Sequence, residues 1–263
     1  SAIYGDTDST FSKGITSPEM GLELQGVINE FLLKWTTDQG IGELFAPKIK
    51  FEKLYRKIVF KPKNVTRRKR HSKKEIKGEP AKKRYAGHII WKDGYVVDKL
   101  DVVGMEIKRS DVAPLTKKLM EEFLKMVLIE DDINGAITMI KKAHKDVLEG
   151  NISLQDISIP KNIKKRTVIN AWHRGMDIAT ERLGIRFDEC NPRLIYCKSP
   201  FKEICIDDKI EVIPSGVNGP VFQIDWEMMA QKVIEQKFRS LLLGIGVKWN
   251  NVIEGQKTLS DFW

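Results

Sequence analysis

Apolar residues recur at helical spacing in five stretches of the chain. In the first, Pro18 to about Gly40, they form one stripe made of Leu24, Val27, Ile28, Phe31, Leu32 and Trp35. Ser17 and Pro18 provide a start signal for this helix, with Ser17 as N-cap and Pro18 as its first residue. The same 3.6-residue period predicts helices over residues 115–129, 133–150, about 167–183 and 226–244.

Four other stretches have the residue pattern of β-strands. Residues 47–61 predict a half-buried antiparallel strand, and the Asp93-Gly94 turn between two short apolar runs predicts a hairpin. Residues 193–207 predict a second hairpin. The opening residues, Ser1–Phe11, read as a strand with a bend at Gly5.

The order of these elements predicts an α+β fold that becomes mostly helical after residues 104–112. No apolar run approaches the ~20 residues that span a membrane, so we expect a soluble protein of the cytoplasm without a membrane partner. Cys190, Cys197 and Cys205 form no CxxC pair, and four scattered histidines make a zinc site an unfavoured interpretation. Reduced thiols are expected, and a Cys197–Cys205 bridge stays open.

The positive charge is concentrated in one segment. Between Lys61 and Tyr85 the chain has 12 Lys or Arg and two Glu, so this segment carries about the whole net charge of +9. It has almost no apolar residues, and we therefore expect a mobile basic loop over residues 61–84. Such a charge indicates a polyanionic partner, although a solvated charge run is an equally good interpretation of residues 61–77.

The opening strand also carries a pair of carboxylates. Residues i and i+2 of a strand project to the same face, so Asp6 and Asp8 would lie a few ångströms apart and repel each other unless a cation lies between them. Carboxylate oxygens are the donors that Mg²⁺ prefers, and two divalent ions can assist phosphoryl transfer. A solvated turn is the alternative interpretation.

Four motifs, in order, resemble those of family B DNA polymerases. Residues 4–9 (YGDTDS) resemble the motif C hairpin of that family, and residues 51–61 (FEKLYRKIVFK) resemble a strand of its palm domain. Residues 82–87 (KKRYAG) resemble its lysine-x-tyrosine element, and residues 104–111 (GMEIKRSD) resemble the passage from palm to thumb. The Lys- and Ile-rich texture favours archaeal members.

The resemblance implies the C-terminal part of a palm over residues 1–107, a mostly helical thumb over 108–255, and template-directed nucleotidyl transfer. It implies that Asp8 is the main metal ligand, with Asp6 beside it and the Thr7 backbone carbonyl as a further ligand. The implied cofactor is Mg²⁺, two ions per active site. Lys82, Lys83, Arg84, Tyr85 and Arg109 would hold primer–template DNA, and Arg109 could instead pair with Asp111.

The family's motifs A and B, which supply a second aspartate and hold the incoming dNTP, are expected on a larger subunit that also carries the exonuclease. The two magnesium ions would then be shared between the chains, and this chain would be the small subunit or a fragment of a replicative polymerase, associated with the nucleoid. A split gene, an intein event and proteolysis stay open as its origin.

The last eight residues have the spacing of a sliding-clamp binding motif. Gln256 is followed by an aliphatic residue at +3, Leu259, and by two aromatic residues at +6 and +7, Phe262 and Trp263. A single helical or 3₁₀ turn would gather the apolar members on one side as a plug for a pocket. The predicted partner of residues 256–263 is the PCNA clamp.

Two alternatives belong to other classes. The chain could be a non-catalytic accessory subunit that binds DNA and the clamp, or an RNA-binding protein that uses the basic segment. The intact Asp6 and Asp8 disfavour the first, and the lack of an RRM- or KH-like pattern disfavours the second.

Overall fold

The chain has an α+β fold, as predicted, in a computed structural model. The structure describes residues 2–5, 9–41, 46–62, 80–160, 171–187, 192–198, 201–206 and 222–254. These residues form two compact units. The first contains residues up to 60 and residues 80–103; Lys61, Pro62 and the described residues from Gly104 onward belong to the second. The palm–thumb boundary at residue 107 stays a prediction.

The first unit opens with a short antiparallel hairpin. Strand β1 (Ala2–Gly5) pairs with β2 (Thr10–Ser12), with Gly5 opposite Thr10 and Tyr4 opposite Phe11. The prediction of one strand over residues 1–11 is therefore wrong, whereas the hairpin that the resemblance of residues 4–9 implied is present: the chain reverses between Gly5 and Thr10. The strand-forming character of the residues does not by itself reveal the reversal, because both halves are rich in the same residue types.

Helix α1 (Pro18–Asp38) confirms the first helix prediction. The Ser17 hydroxyl accepts a hydrogen bond from the Met20 N–H, which satisfies one of the free donors of the first turn. Gly21 lies directly against the ring of Phe51, where a larger side chain would clash. This close approach attaches the helix to the extended segment that precedes the next strand.

A three-stranded sheet completes the first unit. Its order is β3 (Lys53–Pro62), β4 (Pro80–Lys92) and β5 (Tyr95–Val103). Strands β4 and β5 form the predicted hairpin, and its two turn residues, Asp93 and Gly94, have φ of 48° and 96°. Such a turn matches the twist of long strands, and these strands are indeed longer than the short runs predicted. Ala86, Ile89 and Trp91 of β4 are buried.

Both ends of the basic segment belong to this sheet. Residues 63–79 lie outside the described residues, but Lys61 and Pro62 end β3, and residues 80–84 begin β4. The predicted loop over 61–84 is therefore too long. Lys61 is only 3% exposed and forms an ion pair with Glu106. A buried lysine charge needs an ionic partner, because an unpaired charge inside a protein is strongly destabilising. The local sequence around Lys61 does not reveal that its partner is Glu106.

The second unit contains two of the predicted helices, α2 (Pro114–Leu128) and α3 (Ile133–Leu148), which pack against each other. A one-turn helix, α4 (Leu154–Ile157), follows. A small sheet of β6 (Ile159–Pro160), β7 (Arg193–Tyr196) and β8 (Glu203–Ile206) contains the predicted second hairpin. Helix α5 (Ala171–Leu183) lies against β8, where Gly175 permits close contact with the backbone of Ile204 and Cys205.

The last predicted helix is interrupted. Helix α6 (Trp226–Ala230) continues through a π-helical turn, Gln231–Glu235, into α7 (Gln236–Gly244). A further short helix, α8 (Trp249–Glu254), was not predicted, because six residues are too few to show a period. Phe123 and Phe238, both fully buried, meet edge to face in the core of this unit with ring centroids 5.8 Å apart.

Two of the cysteines lie in this second unit as free thiols. Cys197 and Cys205 are buried and unbridged, which resolves the open question about a disulfide between them. Burial raises the pKa of each thiol to about 12, so both stay protonated and unreactive at neutral pH. Cys190 lies outside the described residues.

No helix in the described ranges is both long and apolar enough to cross a membrane.

Candidate active site

The predicted metal-binding segment connects β1 and β2. Asp6, Thr7 and Asp8 themselves lie outside the described residues, and so does the predicted clamp-binding tail with Gln256, Leu259, Phe262 and Trp263. The residues on either side of the segment are described: Gly5 pairs with Thr10. The hairpin thus brings the two ends of the Asp-Thr-Asp segment together, and its position depends on what holds β1 and β2.

Five aromatic side chains hold the hairpin on the sheet. They are called here the aromatic cluster: Tyr4, Phe11, Tyr55, Phe60 and Tyr85. Tyr4 of β1 stacks on Phe60 of β3, with centroids 4.8 Å apart, and Phe11 of β2 meets Tyr85 of β4 edge to face at 5.1 Å. Phe11 also contacts Phe60 and Tyr55 at 5.5 and 5.9 Å. Aromatic pairs at such distances stabilise a fold beyond their buried area alone, so the cluster fixes the hairpin to β3 and β4.

A hydrogen bond joins the hairpin to the lysine-x-tyrosine element. The backbone N–H of Lys83 donates to the Tyr4 hydroxyl at 2.9 Å. Lys83 has φ of 55°, a left-handed conformation that is uncommon for a residue with a side chain. The strand therefore departs from regular alternation at the residue that reaches the hairpin. Sequence reasoning did not find this contact, since it joins residues 79 positions apart.

The predicted duplex-binding residues lie at the start of β4. Lys82 and Lys83 are exposed, whereas Arg84 and Tyr85 are half-buried. The Tyr85 ring belongs to the aromatic cluster, so this residue packs on the hairpin in addition to any contact with DNA. The fold thus brings the predicted phosphate-binding cations beside the strands that flank Asp6 and Asp8.

A second polar group supports the cluster from β5. The Tyr55 hydroxyl donates to Asp101 at 2.6 Å, and Lys53 lies 3.0 Å from the same carboxylate oxygen. Gly87 stands opposite Asp101 in the β4–β5 register and leaves the space through which the Tyr55 ring passes. No local sequence pattern predicts this network, because Lys53 and Tyr55 come from β3 and Asp101 from β5.

The protonation states in this network follow from burial and hydrogen bonding. Burial, reinforced by the hydrogen bond to Asp101, raises the pKa of Tyr55, which stays a neutral donor. Burial alone would raise the pKa of Asp101, but the hydrogen bonds from Tyr55 and Lys53 outweigh it and the pKa is lowered. Asp101 is therefore an ionised acceptor that orients Tyr55 within the cluster.

The second unit contains the remaining predicted DNA ligand. The guanidinium of Arg109 makes two hydrogen bonds to the carboxylate of Asp111, of 2.8 and 2.7 Å. These bonds from Arg109 lower the pKa of Asp111 to about 2. Of the two possibilities left open for Arg109, the structure contains the ion pair. Both side chains stay partly exposed, and the contact of Arg109 with DNA stays a prediction.

Within the described part of the chain, no group of three or more His, Cys, Asp or Glu residues is arranged to hold a metal ion. The predicted ligands are two carboxylates and a backbone carbonyl, all oxygen donors of the kind that suit Mg²⁺. The donor chemistry fits the predicted ion. Its geometry belongs to residues that the structure does not describe.

Comparison with known proteins shows which protein family residues 80–176 resemble. Residues 80–176 match the model of DNA polymerase family B. The match begins at the first residue of β4 and ends within α5, so it includes the predicted duplex-binding element, the Arg109–Asp111 pair and the first two helices of the second unit. This part of the chain is therefore similar to a region of family B DNA polymerases.

The similar proteins include DNA polymerase delta catalytic subunits of three distant organisms. That of Arabidopsis thaliana is 31% identical over 165 residues, which are 62% of this chain and 12% of the relative. Those of Schizosaccharomyces pombe and Drosophila melanogaster are 29% and 31% identical, again over 62% of this chain. The matched region is thus about one eighth of each relative's length.

Proposed function

We propose that this chain provides the motif C carboxylates and the duplex-holding thumb of a replicative family B DNA polymerase. The observation that carries the proposal is the family match over residues 80–176, which follow the Tyr4–Ser9 motif in the chain. The aromatic cluster supports it further, because it attaches the strands around Asp6 and Asp8 to β4, the first strand of the matched region.

In this proposal Asp8 is the main metal ligand, and Asp6 and the Thr7 carbonyl lie beside it. Family B polymerases use divalent metals, and two oxygen-ligated Mg²⁺ ions would fit this donor set. When bound, such ions stabilise the charge on the attacking and leaving oxygens of nucleotidyl transfer. The role of this chain is to hold its carboxylates rigidly, and the stacking of Tyr4 on Phe60 supports that role.

The grip on the duplex is assigned to Lys82, Lys83, Arg84, Tyr85 and Arg109. Exposed Lys82 and Lys83 can neutralise phosphates without reading bases, which suits an enzyme that copies any sequence. Since the Lys83 backbone also donates to Tyr4, a duplex held by β4 would be tied directly to the catalytic hairpin. The connected strands β1 and β4 would then position the primer end relative to the catalytic carboxylates.

The remaining catalytic parts are assigned to a larger polymerase subunit. It would carry the exonuclease, the second metal-binding aspartate and the residues that hold the dNTP, and the two Mg²⁺ ions would be shared with it. The resemblance of residues 4–9 to motif C supports this assignment, because in that family the motif C carboxylates act together with an aspartate of motif A. We assign the holoenzyme to an archaeal-type polymerase acting at the nucleoid.

The last eight residues are assigned to the PCNA sliding clamp. The spacing of Gln256, Leu259, Phe262 and Trp263 supports this, since aromatic anchors of this kind are typical interaction hot spots. Attachment to a ring around DNA would raise the effective concentration of the polymerase at the primer end. The tail would therefore govern product length more than the rate of a single insertion.

Primer extension with purified chains tests the catalytic assignment. The chain is mixed with the larger subunit, primed DNA, dNTPs and Mg²⁺, and Asp8→Ala is compared with the wild type. We expect the mixture to extend primers, and Asp8→Ala to lose incorporation while retaining DNA binding; Asp6→Ala should be milder. Near-normal incorporation by Asp8→Ala would reject the assignment in favour of a non-catalytic DNA- and clamp-binding accessory subunit.

A further inference from the structure

Helix α1 presents a continuous row of large apolar side chains to solvent. The row, called here the α1 stripe, lies on one face and consists of Met20, Leu24, Val27, Phe31 and Trp35. Phe31 is 65% exposed and Val27 59%. From Met20 to Trp35 the stripe is about 22 Å long at 1.5 Å per residue. A contiguous apolar surface of this kind marks an interaction site far more often than isolated exposed residues do.

Another face of the same helix attaches it to its own unit. The Asn29 side chain makes two hydrogen bonds to the backbone of Ile49, of 2.8 and 3.0 Å, and the Gln25 side chain accepts from the Phe51 N–H at 2.6 Å. Gly21 contacts the Phe51 ring. Polar contacts and a glycine thus hold α1 in place, so the exposure of the stripe follows from a fixed orientation of the helix.

The charges on α1 distinguish between possible occupants. The helix has four acidic residues, Glu19, Glu23, Glu30 and Asp38, and one basic residue, Lys34, in a chain whose net charge is +9. Two copies of this chain joined through their stripes would bring two acidic helices together, which costs free energy. An apolar surface with a basic rim is the complementary partner.

The position of α1 in the chain, shortly after the β1–β2 hairpin, also limits which partner could cover the α1 stripe. Only five residues separate the end of β2 at Ser12 from the start of α1 at Pro18. The N-terminal end of α1 therefore lies within the reach of five residues from β2, one of the two strands that flank Asp6 and Asp8.

We propose that the α1 stripe is the docking site for the larger polymerase subunit, through an apolar surface with a basic rim. This inference rests on the proposed function, because that function requires a second aspartate beside Asp8. Docking on α1 brings the carboxylates of the two chains together, and the acidic residues of α1 set the orientation.

Binding of the purified larger subunit to this chain, measured by titration calorimetry, tests the proposal. Val27→Asp and Phe31→Asp should each weaken binding at least about 30-fold, as expected for central apolar anchors. The matched control is Val96→Asp, which changes a valine that is 87% exposed in the same unit and should leave the affinity unchanged. Glu23→Lys with Glu30→Lys should also weaken binding, most strongly at low salt. Circular dichroism verifies that each variant is folded.

Three results would overturn the docking site. The first is unchanged affinity of Val27→Asp and Phe31→Asp for the larger subunit, and the second is an equal loss of that affinity in Val96→Asp. The third is a dimer of this chain alone that Phe31→Asp dissociates, because a second copy of the chain would then cover the stripe. The Asp8→Ala variant separates this proposal from the catalytic one: it should bind the larger subunit with wild-type affinity. Retained incorporation by Asp8→Ala would reject the catalytic role of Asp8. The docking proposal would still be tested separately, by the affinities of the Val27→Asp and Phe31→Asp variants for the larger subunit.

Discussion

Helices α1 and α2 have similar sequence patterns, but the apolar face of α2 is buried and that of α1 is exposed to solvent. Each begins with a proline, and each has apolar residues at helical spacing around a central phenylalanine. In α2 that residue, Phe123, is fully buried, along with Leu119, Met120, Leu124 and Val127; in α1, Phe31 is 65% exposed. Only Gly21 and Thr36 of α1 are buried.

The contrast separates two uses of an amphipathic helix. The apolar face of α2 stabilises its own unit, because its removal from water accompanies folding of that unit. The α1 stripe cannot contribute in this way while it stays in solvent. Its apolar side chains are therefore available to stabilise an assembly, and α1 itself depends on its cap and on hydrogen bonds to the segment that precedes β3.

The largest expected difference comes from truncating the two phenylalanines. Phe123→Ala should lower the free energy of unfolding by about 3–5 kcal/mol, because it leaves a cavity in the core. Phe31→Ala should change it by no more than about 0.5 kcal/mol, as for other surface substitutions. Urea unfolding of the chain alone measures both. Equal losses would mean that the α1 stripe is already covered within this chain.

An intermediate effect is expected from Asn29→Ala. This change removes both hydrogen bonds to Ile49, so it should lower the hydrogen-exchange protection of α1 by about 1–2 kcal/mol and leave α2 unaffected. Lys34→Ala, an exposed change in the same helix, is the control. If α1 kept its protection without Asn29, apolar packing would be holding the helix and the contrast with α2 would weaken.

The smallest effect concerns the Arg109–Asp111 pair before α2. Arg109 holds the pKa of Asp111 at about 2, below its ordinary value, so the pair stabilises the fold above about pH 4 and loses its contribution as the pH falls toward 2. Since both side chains are more than a third exposed, this contribution is about 1 kcal/mol or less. NMR titration should give a pKa near 2 that Arg109→Gln returns to its ordinary range; an ordinary value in the wild type would contradict the pairing.

Features set by local sequence were predicted well. The cap at Ser17, the Asp93-Gly94 turn and the periods of α2 and α3 depend on neighbours in the chain, and each is found in the structure. The family B resemblance was also reached from short motifs, and the match over residues 80–176 bears out its coarser form.

Features set by distant partners were not predicted. Lys61 looked like part of a solvated loop but is buried against Glu106, 45 residues away. Tyr85 looked like a DNA ligand only, yet its ring also packs on Phe11 of the hairpin. The period of α1 located its apolar stripe correctly but could not reveal whether anything in the chain covers it. Burial depends on tertiary contacts that a helical period does not contain.

A titration of the larger subunit into primer-extension reactions tests the central claim most directly. The claim is that this chain supplies a catalytic carboxylate to an active site assembled through α1. With Phe31→Asp, turnover should be low at limiting larger subunit and recover to the wild-type rate at saturation, because only affinity is lost. With Asp8→Ala, turnover should stay at least about a hundredfold lower at every concentration. Recovery of Asp8→Ala at saturation, or failure of Phe31→Asp to recover, would contradict the account.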